Sequence, residues 1–183
     1  NDEINLLRDA PGVKIVSVPT RNQMLFGFNT TQAPFDNAKV RQALAWAVPY
    51  DDIVAGLFAG AGHASKGPIP VEGQGHDSAL WTVSTNIDKA KQLLAESGHP
   101  NGFAFTLDID DGNPTAQQIA VVLKDAFSKA GVDMTINVQP ASVFAEGLGK
   151  LSHQAWMRDL LWYVDDAGYT GELFFKTKAV ANW

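Results

Sequence analysis

Asn29 to Phe58, NTTQAPFDNAKVRQALAWAVPYDDIVAGLF, is the stretch whose reading decides the fold. Val40, Ala43, Leu44, Ala47 and Val48 recur at i, i+3, i+4, i+7 and i+8, which is one apolar face of an α-helix. Asp36 reads as the N-cap, with Phe35 before it and Val40 placed as its partner in a hydrophobic staple. Pro49 would cost about 3 kcal/mol inside a continuous helix, but it suits the first turn of a new one. Asp51 and Asp52 then face the positive end of the helix dipole. A second helix therefore runs from about Pro49 to Phe58, with Ile53, Val54, Leu57 and Phe58 on its core side, and Gly60 with Gly62 ends it.

Outward from this pair the pattern changes period. Upstream, Met24, Phe26 and Phe28 alternate with Leu25, Gly27 and Asn29 as in a core strand, and Val13, Ile15 and Val18 give a weaker one. Pro11-Gly12 is a turn signal that closes a short helix at the start of the chain. Downstream, the segment from Ala59 to Trp81 holds five glycines and two prolines without helical period, which predicts a long surface loop. Asn86 caps a helix carrying Ile87, Ala90, Leu93, Leu94 and Ser97 on one side, with Gly98 as its stop. Phe103, Phe105, Leu107 and Ile109 then alternate as a strand buried on one face. Thr115 to Ala130 is the longest helix and stops at Gly131, after which Val132, Met134, Ile136 and Val138 alternate again. Strand, helix and strand at this length imply a right-handed parallel crossover, and so an α/β layer. Ala155 to Tyr163, AWMRDLLWY, reads as a third strand of that layer.

The composition bounds the function. A chain of 183 residues, 45% hydrophobic and 19% charged, has room for one sizeable core. Its net charge of −6 argues against nucleic-acid and anionic-membrane surfaces, which need a concentrated positive field. With no cysteine there is no disulfide, zinc–thiolate site or thiol nucleophile. No apolar run approaches about 18 residues, and no basic start precedes an apolar core as in a signal peptide. His63, His76, His99 and His153 form no i, i+3 or i+4 pair and have no carboxylate set beside them, so they read as solvated side chains rather than metal ligands. Asp108, Asp110, Asp111, Gly112 and Asn113 resemble a calcium loop until positions are counted: the loop glycine would fall at Asn113 and the closing glutamate at Ile119. A strand-end turn that caps the next helix is the better reading. Gly60-x-Gly62-x-x-Ser65 follows a helix instead of preceding one, so it fails as a phosphate cradle. There is no G-x-S-x-G elbow, and Asp165-Asp166 on an extended segment point apart, which disfavours both hydrolase and glycosidase chemistry.

Four motifs in register carry a resemblance. N-T-T-x-x-P-F-D-x-x-K-V-R-Q-A-L-A-x-A-V with D-x-I-V, then Gly67-Pro68-Ile69-Pro70, then NIDKAKQLLAESG at Asn86–Gly98, then Pro100-Asn101-Gly102-Phe103 together resemble the dipeptide/oligopeptide-binding proteins of ABC transporters, the extracellular solute-binding protein family 5. The chain departs from the family at Pro49-Tyr50, where Asp-Arg is usual, and at Asn86-Ile87, where Asp-Pro is usual. The resemblance implies an α/β fold: one lobe of a type II periplasmic-binding-protein-like fold, a mixed sheet flanked by helices. It places residues 1–30 as hinge-proximal strands and 31–183 as a second ligand-binding lobe that the chain covers only in part, since the pattern begins and stops midway. It also implies a non-enzymatic receptor without cofactors, a monomer that binds a small peptide or other small solute and delivers it to an ABC permease. Such a protein is periplasmic, or extracellular and lipid-anchored in a Gram-positive host. An isolated lobe would hold its solute weakly, because closure normally buries it from both sides.

Open α/β sheets bind ligands beyond the carboxyl ends of their strands, which makes Asp111 one candidate rim position and the segment from Gln139 to Val143 another. In peptide-binding relatives an aromatic residue sits near Ala141, so a stacking wall is absent here. The family's W-x-x-D at the next strand end matches Trp162 and Asp165 in spacing, with Tyr163 between them. By resemblance Trp162 lines the pocket and Asp165 takes the peptide's α-ammonium as a charge-assisted hydrogen bond. Asp165 equally suits a turn or a helix cap, and Trp162 a core strand. Relatives that bind sugars, opine-like conjugates or metal chelates share the fold, so the ligand class stays open. Leu173, Phe174 and Phe175 look helical, and the chain beyond Tyr169 is expected to fray.

Overall fold

The computed structural model describes residues 7, 10–16, 18, 20–58, 61–162 and 164–176. A four-stranded mixed sheet has the order β1-β4-β2-β3, formed by β1 (Gln23–Phe28), β2 (Ala104–Asp110), β3 (Asp133–Gln139) and β4 (Ala155–Leu160). β2 pairs parallel with β3 and with β4, Leu107 standing beside Ile136 on one side and Ala155 on the other. β1 closes the β4 edge antiparallel, with Phe26 opposite Met157. The expected parallel crossover is therefore present, and the third strand is there but ends at Leu160, short of Trp162. Val13 to Val16 form no strand: they lie in coil with Val13, Ile15 and Val16 exposed, because alternation without a partner edge does not make a ladder. Most of the expected short helix of residues 1–10 and the Gly60 stop fall outside the described residues; of the fraying expected beyond Tyr169, residues 177–183 also fall outside them, while Gly171–Phe175 form a helical turn.

The signature stretch forms α1 (Ala38–Ala47) and α2 (Tyr50–Phe58). The cap is Asn37, whose side chain accepts the Lys39 N–H, and not Asp36. One residue decides this because Phe35 drops fully into the core, so the chain turns into the helix a position later. Phe35 sits against Phe28 at 4.8 Å and edge-on to Phe105 at 5.2 Å, and is the hub of an aromatic cluster. Arg41 donates to the carbonyls of Phe35 (2.6 Å) and Asp36 (3.3 Å), which holds the turn above that hub. Asn29, fully buried, accepts from the Thr31 N–H and hydroxyl and donates to the Leu151 carbonyl at 2.9 Å. The N-T-T motif is thus a splice between the β1 exit and the loop before β4.

The break at Pro49 is clamped by the segment leading into α3 (Ile87–Glu96): the Thr85 hydroxyl donates to the Val48 carbonyl and takes the Tyr50 N–H. The Tyr50 hydroxyl donates to the Ala45 carbonyl at 3.0 Å, and burial pushes its pKa up from 10.0 to about 12. A folded-state value above the unfolded one means the contribution is complete below pH 10.0 and is lost as pH climbs toward 12. Denaturant titrations are expected to show about 2 kcal/mol less stability near pH 12 than at pH 9 from this group. Tyr50→Phe flattens that part of the profile.

α4 (Pro114–Lys129) begins at an Asn113 cap and buries Ala116, Ile119, Ala120, Leu123 and Phe127 with Leu107, Ile109 and Met134 of the sheet. The Asp110 carboxylate accepts from the Gly112 N–H, so the acidic run is the expected strand-end turn. α5 (Ala141–Gly149) lies on the opposite face of β2. A four-residue turn of helix, α6 (Ala167–Thr170), follows β4 and runs into a π-type turn at Gly171–Phe175.

Candidate functional site

The carboxyl ends of β4, β2 and β3 lie on one edge of the sheet, and the candidate residues fall there in two groups. At the β4 end, Asp165 receives Arg21 Nη2 on Oδ2 at 2.9 Å and the Gln74 N–H on Oδ1 at 2.9 Å. The side chains of Arg21 and Asp165 are 39% and 41% exposed, so this ion pair faces solvent and contributes at most about 1 kcal/mol to stability. Trp162 is half-buried, and its indole N–H donates to Gln23 Oε1 at 2.9 Å. Gln23 in turn donates to the Ser65 hydroxyl at 2.6 Å, and Ser65 donates to the Gly67 carbonyl at 2.9 Å. The loop that carries Gly67-Pro68-Ile69-Pro70 is thereby drawn over the start of β1, held at its far end by Gln74. Asp166 does not share this site. Its carboxylate caps α6 through the Gly168 N–H, so the two adjacent aspartates do point apart. Tyr163 lies outside the described residues.

At the β2 and β3 ends, Asp111 is exposed, and its backbone N–H donates to the Gln139 carbonyl at 2.9 Å. Ala141 is exposed at the first position of α5. Gln139 turns its carboxamide inward and donates to Asp108 at 2.5 Å.

Asp108 belongs to a cluster that sequence reasoning missed. Its Oδ1 takes both Asn137 and Gln139, and its Oδ2 meets His153 Nδ1 at 2.8 Å. His153 Nε2 faces the Phe144 carbonyl at 3.0 Å, and the ring stacks on Phe144 at 5.2 Å. His153 is 5% exposed and Asp108 6%, which corrects the reading of His153 as a solvated side chain. Both ring nitrogens face oxygen atoms, the Asp108 carboxyl on Nδ1 and the Phe144 carbonyl on Nε2, so the ring's polar atoms are all partnered inside the protein. Gly147 makes the room: a Cβ there would lie 2.3 Å from the His153 ring. The sequence carried no signal for the cluster: between Leu107 and Ile109, alternation puts Asp108 on the face opposite the core, and only α5 packing over that face buries it. Of the other histidines, His63 is exposed as expected, whereas His76 and His99 are half-buried, His76 Nδ1 lying 2.8 Å from the Ile69 carbonyl and the His99 ring edge-on to Phe103 at 5.5 Å.

Residues 1–182 match the family model of the bacterial extracellular solute-binding proteins, family 5. The chain belongs to that family. Among curated family 5 relatives it is 35% identical over 130 residues to heme-binding protein A of Haemophilus influenzae, covering 69% of this chain and 24% of that protein. It is 29% identical over 191 residues to the glutathione-binding protein GsiB of Pectobacterium atrosepticum, covering 100% of this chain and 36% of that protein. The solved structure of HbpA2 from Haemophilus parasuis superposes with a TM-score of 0.87 at 25% identity, over 100% of this chain and 38% of that one. The chain thus spans between about a quarter and two fifths of these relatives' length. The mixed sheet with flanking helices is the periplasmic-binding-protein fold expected from the motifs. Family 5 members are extracellular solute-binding proteins, and no helix among the described residues is long and apolar enough to cross a membrane.

Proposed function

We propose that residues 31–183 form much of one ligand-binding lobe of a non-enzymatic receptor for an ABC importer, with residues 1–30 on the hinge side. The receptor works as a monomer, in the periplasm or lipid-anchored outside a Gram-positive cell, and hands a peptide-like solute to a membrane permease. The observation that carries this reading is Asp165: a half-exposed carboxylate beyond the end of β4, fixed by Arg21 and the Gln74 N–H, beside an indole fixed by Gln23. A carboxylate offers about four acceptor positions, and two are used here, so a solute ammonium still has a place. Trp162 supplies an apolar wall next to it, and generic contacts serve the rest of the solute. The similarity to a glutathione-binding protein supports a peptide-like ligand, glutathione being a tripeptide.

The Arg21 pair favours a second reading in the same fold, because it already neutralises Asp165. A neutral or anionic solute, such as an oligosaccharide, an opine-like conjugate or a metal chelate, needs no ammonium anchor. Thermal-shift and calorimetric screens of the full-length protein with di- to pentapeptides, oligosaccharides and chelates separate the two. Peptide binding that weakens by about 10- to 100-fold in Asp165→Ala is the expected result, the loss of one charge-assisted hydrogen bond. Binding of a neutral solute that ignores the substitution would overturn the anchor.

A further inference from the structure

We propose that Arg21 is a specificity-determining residue, and that Arg21 and Asp165 together form a two-charge seat for solutes with an α-amino-acid head, ammonium and carboxylate on one carbon. The proposal rests on the receptor reading above and narrows its substrate class. Arg21 precedes β1 and Asp165 follows β4, antiparallel neighbours whose last pair is Gln23 opposite Leu160. The ion pair at 2.9 Å therefore spans the open end of a two-stranded ribbon, joining residues 144 apart in sequence. Both side chains are fixed to the ribbon's end yet about two fifths exposed. Beneath them the chain of bonds from Trp162 through Gln23 and Ser65 to the Gly67 carbonyl holds the floor in place.

The pair has spare capacity of both kinds. Among the described residues Asp165 takes one bond on each oxygen, and Arg21 gives one of its five N–H groups to Asp165. A solute ammonium alone is drawn to Asp165 and repelled by the guanidinium beside it. A solute carboxylate alone meets the reverse. A head that carries both groups a few ångströms apart can lie antiparallel to the pair, ammonium on Asp165 and carboxylate on Arg21, and brings no net charge into the site. The geometry of guanidinium–carboxylate pairing suits Arg here better than Lys. An α-linked peptide has its first carboxyl carbon in an amide, so it offers no carboxylate on the carbon that bears the ammonium. A peptide linked through a side-chain carboxyl keeps the whole head.

Two isomers with the same atoms make the test: β-aspartyl-alanine, which keeps the head, and α-aspartyl-alanine, which does not. In calorimetric titrations of the full-length protein the β-linked isomer is expected to bind about tenfold tighter or better, the worth of one additional charge-assisted bond. Arg21→Gln should erase the preference by weakening the β-linked isomer while leaving the α-linked one unchanged or tighter, and Arg21→Lys should restore part of it. Equal affinities in the unsubstituted protein, or a preference that survives Arg21→Gln, would overturn the seat and leave an Asp165-dependent peptide receptor standing. Binding of neither isomer would overturn both the seat and the peptide reading.

Discussion

Replacing His153 by alanine is expected to lower the free energy of unfolding by about 3–5 kcal/mol, measured by chemical denaturation at neutral pH. The size follows from what the ring leaves behind. Asp108 would keep Asn137 and Gln139 on Oδ1 but lose the His153 ring on Oδ2, at a position 6% exposed. The Phe144 carbonyl would lose its donor, and the space that Gly147 keeps open for the ring would become a cavity beneath α5. Removing both partners at once is a milder change than removing one. Asp108→Leu combined with His153→Leu should recover part of the loss, because apolar side chains of similar volume need no buried partner. A single substitution costing under about 1 kcal/mol would show that water or another group reaches Asp108.

Gly102→Ala is expected to cost at least about 3 kcal/mol, the range reached when backbone strain and a steric clash coincide. Gly102 has φ +74, and an added Cβ would lie 1.7 Å from the Gly131 carbonyl oxygen. That obstacle is backbone, fixed on one side by the Asp133 N–H to Phe103 carbonyl bond at the start of β3. Gly98 is the internal control. It too has a left-handed φ, of +89, but nothing lies within 4 Å of its Cβ position, so Gly98→Ala should cost only the conformational strain of about 1 kcal/mol. Thermal or denaturant unfolding of the two variants side by side checks this. Equal losses would mean that β2 and β3 can separate at their first residues without penalty.

The contrast between these glycines shows how much the sequence could say. Gly98 stood at an expected helix stop and Gly102 in the P-x-G-F motif, which was legible as a pattern, but the reason for its glycine lies in an approach between residues 29 apart. Helices and strands with a clear period, from Val40–Val48 to Val132–Val138, appear where alternation and capping residues put them, because one apolar face and one pleat are local properties. The weak strand expected from Val13 does not form over Val13–Val16, because a strand requires an edge to pair with, which periodicity does not supply. The N-cap moved from Asp36 to Asn37 because either residue can cap and the burial of Phe35 chose between them.

The candidate site was legible only in part, for the same reason. Trp162 and Asp165 were found by motif, whereas Arg21, Gln23, Ser65 and Gln74 reach them from two distant segments with no spacing signal. His153 was unreadable because it has no sequence neighbour of opposite charge. Its partner Asp108 comes from another strand, and its space comes from Gly147.

The most direct test of the receptor reading is the structure of the full-length protein with a bound tripeptide bearing a free amino terminus. The account predicts the terminal ammonium within about 3 Å of the Asp165 carboxylate, with the Trp162 ring against the solute. A peptide bound with its amino terminus elsewhere, and the Arg21–Asp165 pair untouched, would contradict it.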